Sequence, residues 1–145
     1  RQGLPRWSRV NARGQESGAR THIEAESPKD VLATAYVAHS ADLLSRACEV
    51  LEDPDSKKYR ELFEKISNAF CDAYVTPTGR IVGHHQTPYV LALAFDLLPE
   101  HQRAAATSHL LAVIAARGRH LSPGFLGANN LLPVLEPRCV FYIAF

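Results

Sequence analysis

His84-His85-Gln86-Thr87-Pro88 followed by YVLALAFDLL, residues 84–98, sets a cluster of hydrogen-bonding side chains directly ahead of a greasy helix. Thr87 then Pro88 reads as a helix cap with proline at the first helical position, where its missing N–H is no loss. The body behind it is apolar almost all round, so this third helix should be buried on every side. Tyr89 to Leu98 is the longest nearly uninterrupted apolar run, too short to cross a bilayer and interrupted by Asp96.

Outward from that helix, the pattern alternates. Upstream, Ser27-Pro28-Lys29-Asp30 should open a first helix over about 28–51, with Ser27 as cap and Asp30 reaching back. This helix is mostly apolar; His39, Asp42, Arg46 and Glu49 form one narrow polar stripe, so most of its perimeter should be covered. Asp53-Pro54-Asp55 breaks the chain. A second helix, about 56–74, repeats Tyr59, Leu62, Phe63, Ile66, Phe70 and Tyr74 at helical spacing, with Lys58, Arg60, Glu61, Glu64 and Lys65 on the other side. It ends at the turn Thr76-Pro77-Thr78-Gly79, after which 80–83 reads as a short extended piece.

Downstream, Pro99-Glu100 opens a fourth helix over 99–117, with Leu110, Val113 and Ile114 as its buried face, stopped by Gly118. A loop over 119–127 leads to a fifth apolar segment, 128–135, with Pro133 inside it. The order is therefore buried, amphipathic, buried, amphipathic, buried. Inner helices shielded by outer ones in a ring of hairpins produce that order. A solenoid would make both helices of each pair amphipathic and show a repeat, which is absent. The expected fold class is all-α, a partial (α/α) toroid of about two and a half hairpins. Residues 27–136 form the toroid segment, 1–26 a polar loop or disordered lead-in, and 137–145 a separate tail whose VFYIAF resembles a strand.

Composition narrows the function classes. The 145 residues are 46% hydrophobic and 21% charged, with a formal net charge of +1. No basic stripe favours nucleic acid and no span favours a membrane, so a small neutral ligand fits best. Cys48, Cys71 and Cys139 form no CxxC pair; they read as reduced core thiols of a cytoplasmic protein. The first residues lack the apolar stretch of a signal peptide. An Arg1 start and the absence of Met suggest an internal stretch of a longer product.

In a ring of hairpins the entries to the inner helices open at one end. Three entries are visible: Ser27 to Asp30, His84 to Thr87, and His120-Leu121-Ser122-Pro123-Gly124. Polar side chains beside free helix-start N–H groups suit a pocket for a hydroxyl-rich ligand, although capping and loop satisfaction explain the same residues. His84, His85 and His120 have no metal-ligand spacing and read as neutral hydrogen-bonding histidines. No GxSxG elbow accompanies Ser122. Glycoside hydrolysis needs two carboxyl groups, roughly 6.5–9.5 Å apart for inversion. Glu26, Asp30, Asp96 and Glu136 are near inner elements, but spacing pairs none of them.

Four stretches in order, SPKDVLATAYVAHSADLL, KKYRELFEKISNAFCDAYVTPTGRI, QTPYVLALAFDLLPEHQR and RHLSPGFLGANNLLPVL, resemble bacterial α-L-rhamnosidases over roughly three-quarters of the chain, Ser27 to Glu136. The resemblance implies a six-hairpin toroid that cleaves terminal α-L-rhamnose with inversion and without a cofactor. It also implies that the general-acid and general-base Glu motifs lie before and after this stretch, so no catalytic residue is assigned here. Gln86 and Thr87 match the family's Gln-Thr before an inner helix, and His120 to Gly127 its glycine-rich loop. Gln86, Thr87, His85, His120 and Ser122 are the candidate substrate-binding residues. Pro88, Pro123 and Asn129-Asn130 depart from the expected Ala, Thr and Pro-Tyr. The implied partners are a rhamnose-containing oligosaccharide or glycoside and the remainder of the toroid.

Two other readings keep the helices. One is another helical-toroid glycosidase or lyase, the other a non-catalytic carbohydrate-binding or interaction module. On any reading, an incomplete ring leaves apolar flanks open, and the isolated chain should associate.

Overall fold

A computed structural model describes the backbone of residues 27–139 and the side chains of 27–136. Among the described residues all regular structure is helical: α1 (Lys29–Val50), α2 (Ser56–Tyr74), α3 (Gln86–Ala94), α4 (Glu100–Ala116) and α5 (Gly124–Cys139). The extended piece between α2 and α3 is a single antiparallel bridge, Val75 with Ile81.

α1 and α2 pair as a hairpin, α3 and α4 as the next, and α3 lies between α1 and α5. α1, α3 and α5 are thus the inner row and α2 and α4 the outer one, which makes the described chain a segment of a helical toroid. The α1–α2 turn needs a left-handed residue, supplied by Glu52 at φ 55°, and the Asp53 N–H closes back on the Cys48 carbonyl at 2.8 Å. Ser45 and Ser56 exchange hydroxyl-to-carbonyl bonds of 3.1 and 3.2 Å across the hairpin. Arg60 reaches from α2 to Asp42 on α1 at 2.8 Å.

The core gathers around α3. Every residue from Gln86 to Leu93 is buried, joined by Val31, Ala35 and Ala38 of α1, Phe70 of α2, Leu110 and Ile114 of α4, and Leu131 and Leu135 of α5. The all-round burial expected of YVLALAFDLL is therefore met. Past α3, Asp96 takes φ 55° and pairs with Arg103, which also donates to the Leu93 carbonyl at 3.3 Å. That guanidinium satisfies one orphan carbonyl at the helix end, where a positive charge also suits the helix dipole.

The structure corrects four local expectations. Ser27 does not cap α1; it is buried, Pro28 is the capping residue, and no side chain caps the helix. α3 begins two residues earlier than the Thr87-Pro88 pattern suggests, with His85 in the capping position, and the Thr87 hydroxyl goes to a carbonyl on another loop. α5 begins at Gly124 rather than near 128, the Gly127 N–H already bonding the Pro123 carbonyl at 3.2 Å. Its glycine content marks close packing, not loop: a Cβ on Gly127 would lie 3.0 Å from Pro123 Cβ and 3.5 Å from Thr87 Cγ2.

The fourth correction concerns α1, which is less covered than its sequence implies. His39 leaves the polar stripe and stacks on Phe95 with ring centres 3.9 Å apart. Val37, Leu44 and Leu51 are 56%, 47% and 76% exposed, one above another at seven-residue spacing. No described element lies over that side.

Candidate functional site

The three inner-helix entries meet. Gly83 precedes α3 with φ 84°, and a Cβ there would sit 2.7 Å from Pro28 Cδ, so only glycine lets this loop close on the start of α1. On the other side, α3 and α5 are tied through the first two residues of α3.

Gln86 uses both ends of its amide. Nε2 donates to the His120 carbonyl at 2.9 Å, and Oε1 accepts the Ser122 N–H at 2.7 Å. That orientation is the one that pairs donor with acceptor twice. The Thr87 hydroxyl adds a 2.7 Å bond to the Pro123 carbonyl. These bonds join positions 34 to 36 residues apart, and the side chain of Gln86 is 1% exposed. Each satisfies a loop backbone group that would otherwise cost about 1–3 kcal/mol if left buried and unpaired.

The remaining candidates sit at the edge of this latch. His85 caps α3 in extended conformation and is half-buried. His120 is exposed, its carbonyl held by Gln86. Ser122 is also exposed, and its hydroxyl accepts from Arg117 at 3.1 Å. Arg119 takes φ 64°, turning the chain from the end of α4 into this loop. Tyr36 of α1 donates to the Leu126 carbonyl of α5 at 3.2 Å, so all three inner helices are linked near this end.

A second polar cluster lies behind the latch, unmarked by sequence beyond the His84-His85 pair. Tyr89 is fully buried; its hydroxyl accepts the Ile81 N–H at 3.2 Å and lies 2.8 Å from His84 Nδ1. The rings of His84 and Tyr89 each lie 6.2 Å from that of His109 on α4, whose Nε2 is 3.1 Å from the Thr78 carbonyl. Burial lowers the His84 pKa, helped by the positive charge of Arg80 and the neighbouring His109 and His85. Burial raises that of Tyr89, opposed by the Ile81 hydrogen bond and Arg80. The tyrosine was missed because an aromatic inside an apolar run looks like plain core.

Other sequence candidates stay apart. Asp30 is exposed in the first turn of α1, Asp96 is tied to Arg103 at the far end of α3, and Glu136 is exposed on α5. Glu26 lies outside the described residues. Among the described residues no three His, Cys, Asp or Glu side chains converge as a metal site. A cavity of about 610 Å³ opens between α4 and α5 beside Asp96, Arg103, Thr107 and Pro133. It sits at the C-terminal end of α3, away from the three entries, and its charged groups already pair with each other. We therefore place the candidate site at the entries.

Comparison with known proteins agrees with the layout. Residues 7–140 match the family described as bacterial alpha-L-rhamnosidase 6 hairpin glycosidase domain, a span reaching past both ends of the 27–136 stretch. The chain is 48% identical over 114 residues to an alpha-L-rhamnosidase of Streptomyces avermitilis, covering 79% of this chain and 11% of that protein. It is 36% identical over 116 residues to one from Formosa agariphila, covering 78% of this chain and 12% of that one. Among solved structures it superposes on the Streptomyces avermitilis alpha-L-rhamnosidase complexed with L-rhamnose with a TM-score of 0.74 and 49% identity, over 77% of this chain and 11% of that one. The native enzyme from Aspergillus terreus gives a TM-score of 0.75 at 28% identity, over 79% and 13%. The chain thus spans little more than a tenth of the length of these relatives.

Proposed function

Because the chain belongs to the bacterial α-L-rhamnosidase six-hairpin glycosidase domain family, we propose that it forms part of the sugar-pocket wall of an inverting α-L-rhamnosidase. The observation that carries this reading is the latch. The two segments that resemble the family's pocket loops are the two that Gln86 and Thr87 bind together. In this reading Gln86 and Thr87 build the wall, and His85, His120 and Ser122 present donors and acceptors to the sugar hydroxyls.

The bond-breaking carboxyl groups belong to other parts of the parent toroid. Of the carboxylates near the inner helices, Asp30 lies in the first turn of α1, Asp96 follows α3 and pairs with Arg103, and Glu136 is exposed on α5; none is assigned the acid or base role that glycoside hydrolysis requires. The partners in this reading are a rhamnose-containing glycoside and the remaining hairpins. The thiols of Cys48 and Cys71 are free, which supports a reducing, cytoplasmic setting.

Two measurements test this. The purified chain is expected to release no rhamnose from an aryl α-L-rhamnoside; release would overturn the placement of the acid and base elsewhere. Within the complete toroid, His120→Ala is expected to raise KM for that rhamnoside about tenfold, the loss of one good hydrogen bond to a desolvated group. An unchanged KM removes His120 from the wall.

A further inference from the structure

Two bonds hold the loop between α2 and α3 from behind: Ile81 N–H to Tyr89 Oη, and Tyr89 Oη to His84 Nδ1. The phenol oxygen already accepts from Ile81, so its own hydrogen is free to go to Nδ1. That arrangement uses every group once, and it makes His84 the neutral tautomer with its proton on Nε2. The backbone at His84 is left-handed, φ 49°, and its N–H closes a tight turn on the Ile81 carbonyl at 3.1 Å. Two residues later the chain reaches Gln86, whose amide holds the α5 entry.

We propose that His84 is a positioning residue for the candidate pocket: in its neutral form, clasped by Tyr89, it sets the α3 entry and through it the Gln86 latch. Protonation undoes the clasp for a geometric reason. With hydrogen on Nδ1, the Tyr89 oxygen accepts twice, and its own hydrogen is left without a partner inside a fully buried site. The charged neighbours work in the same direction. Arg80 and His85 face His84 from its own loop and His109 from α4, while α3 offers the neutral phenol. Acid therefore loosens the loop that leads into Gln86.

Only the last step, from latch to sugar, rests on the proposed function. The test is a nitrogen-15 NMR titration of the full chain from about pH 8 to about pH 5, across the range in which histidine changes charge. His84 is expected as the Nε2–H tautomer at high pH, with a midpoint below that of an ordinary histidine. The Gln86 side-chain amide and the Ser122 backbone amide should shift with that same midpoint. Arg80→Gln, on an exposed side chain, should move all three midpoints upward together. Tyr89→Phe should uncouple the two amides from His84, whose midpoint stays lowered by burial and by Arg80; if it unfolds the chain, Arg80→Gln decides. An Nδ1–H tautomer, or amides indifferent to His84, overturns the proposal. Adding L-rhamnose separates the two readings: coupling without sugar-induced shifts at His85 and His120 keeps the latch and removes the pocket wall, and the reverse does the opposite.

Discussion

α1 and α3 are both apolar inner helices, yet only one is sealed. α3 has α1 on one side, α5 on the other and α4 behind, and every residue from Gln86 to Leu93 is buried. α1 has α2 and α3 but no described neighbour on its remaining side, so Val37, Leu44 and Leu51 stand open. α5 shows the same at its free edge, with Phe125 91% and Leu132 71% exposed. Hydrophobic content states what a helix face requires, and only the neighbours determine whether the requirement is met. The middle of this segment behaves as a finished core and its two edges as unfinished ones.

The sharpest way to break that contrast is to shorten matched leucines. Leu91→Ala, at a site with no exposure, should cost about 2–5 kcal/mol of unfolding free energy. Leu44→Ala should stay within about 0.5 kcal/mol, since half-exposed sites lose little. Denaturant midpoints of the two variants check this, and equal losses would show that α1 is covered in solution.

Next in size is the latch. Gln86→Leu keeps the volume roughly but strands the His120 carbonyl and the Ser122 N–H, for a loss of about 1–3 kcal/mol. Hydrogen exchange at Ser122 should accelerate while exchange within α2 does not. Uniform acceleration would show that Gln86 supports the whole core rather than one loop.

A smaller effect on stability, but a visible one on assembly, is expected from Leu44→Lys. It removes apolar surface from the open stripe and should reduce self-association in sedimentation without lowering the melting temperature. Unchanged association would move the sticky surface elsewhere, to Phe125 and Leu132 first.

The smallest effect is acid sensitivity. The folded His84 pKa lies below its unfolded value, chiefly through burial, then through Arg80, His109 and His85. The unfolded chain therefore takes up protons first as pH falls. The stability from neutral His84 is fully present above about pH 6.5 and is lost as pH drops through the lower folded value. Urea midpoints at about pH 7.5 and about pH 5 should differ, and by less in Arg80→Gln.

Much of the fold was legible because burial on α2 and α4 follows helical period and α3 is apolar all round. Phe63, Ile66, Phe70 and Tyr74 declare the face of α2, although Leu62 of the same repeat is exposed, and Leu110 with Val113 and Ile114 declare that of α4. Helix starts were less legible. Ser27 and Thr87 are good capping residues, but neither caps: Ser27 is buried ahead of α1, and Thr87 bonds a carbonyl 36 residues away. The glycines at 124 and 127 read as loop, although one starts a helix and the other lets it pack on Thr87. The site was half legible: Gln86 and Thr87 stand out by position, while the Tyr89 hydroxyl hides in an apolar run.

The sequence by itself determined five helices in alternating character and a family likeness along most of the chain. Those properties depend on spacing within short windows, and each helix carries its own pattern. The tertiary structure alone decided which apolar faces are covered, and that Gln86 grips the loop at His120 and Ser122. It also decided that His84 rests on a buried phenol. Such pairings join residues far apart in the chain, and only packing brings a donor and an acceptor to the same few ångströms.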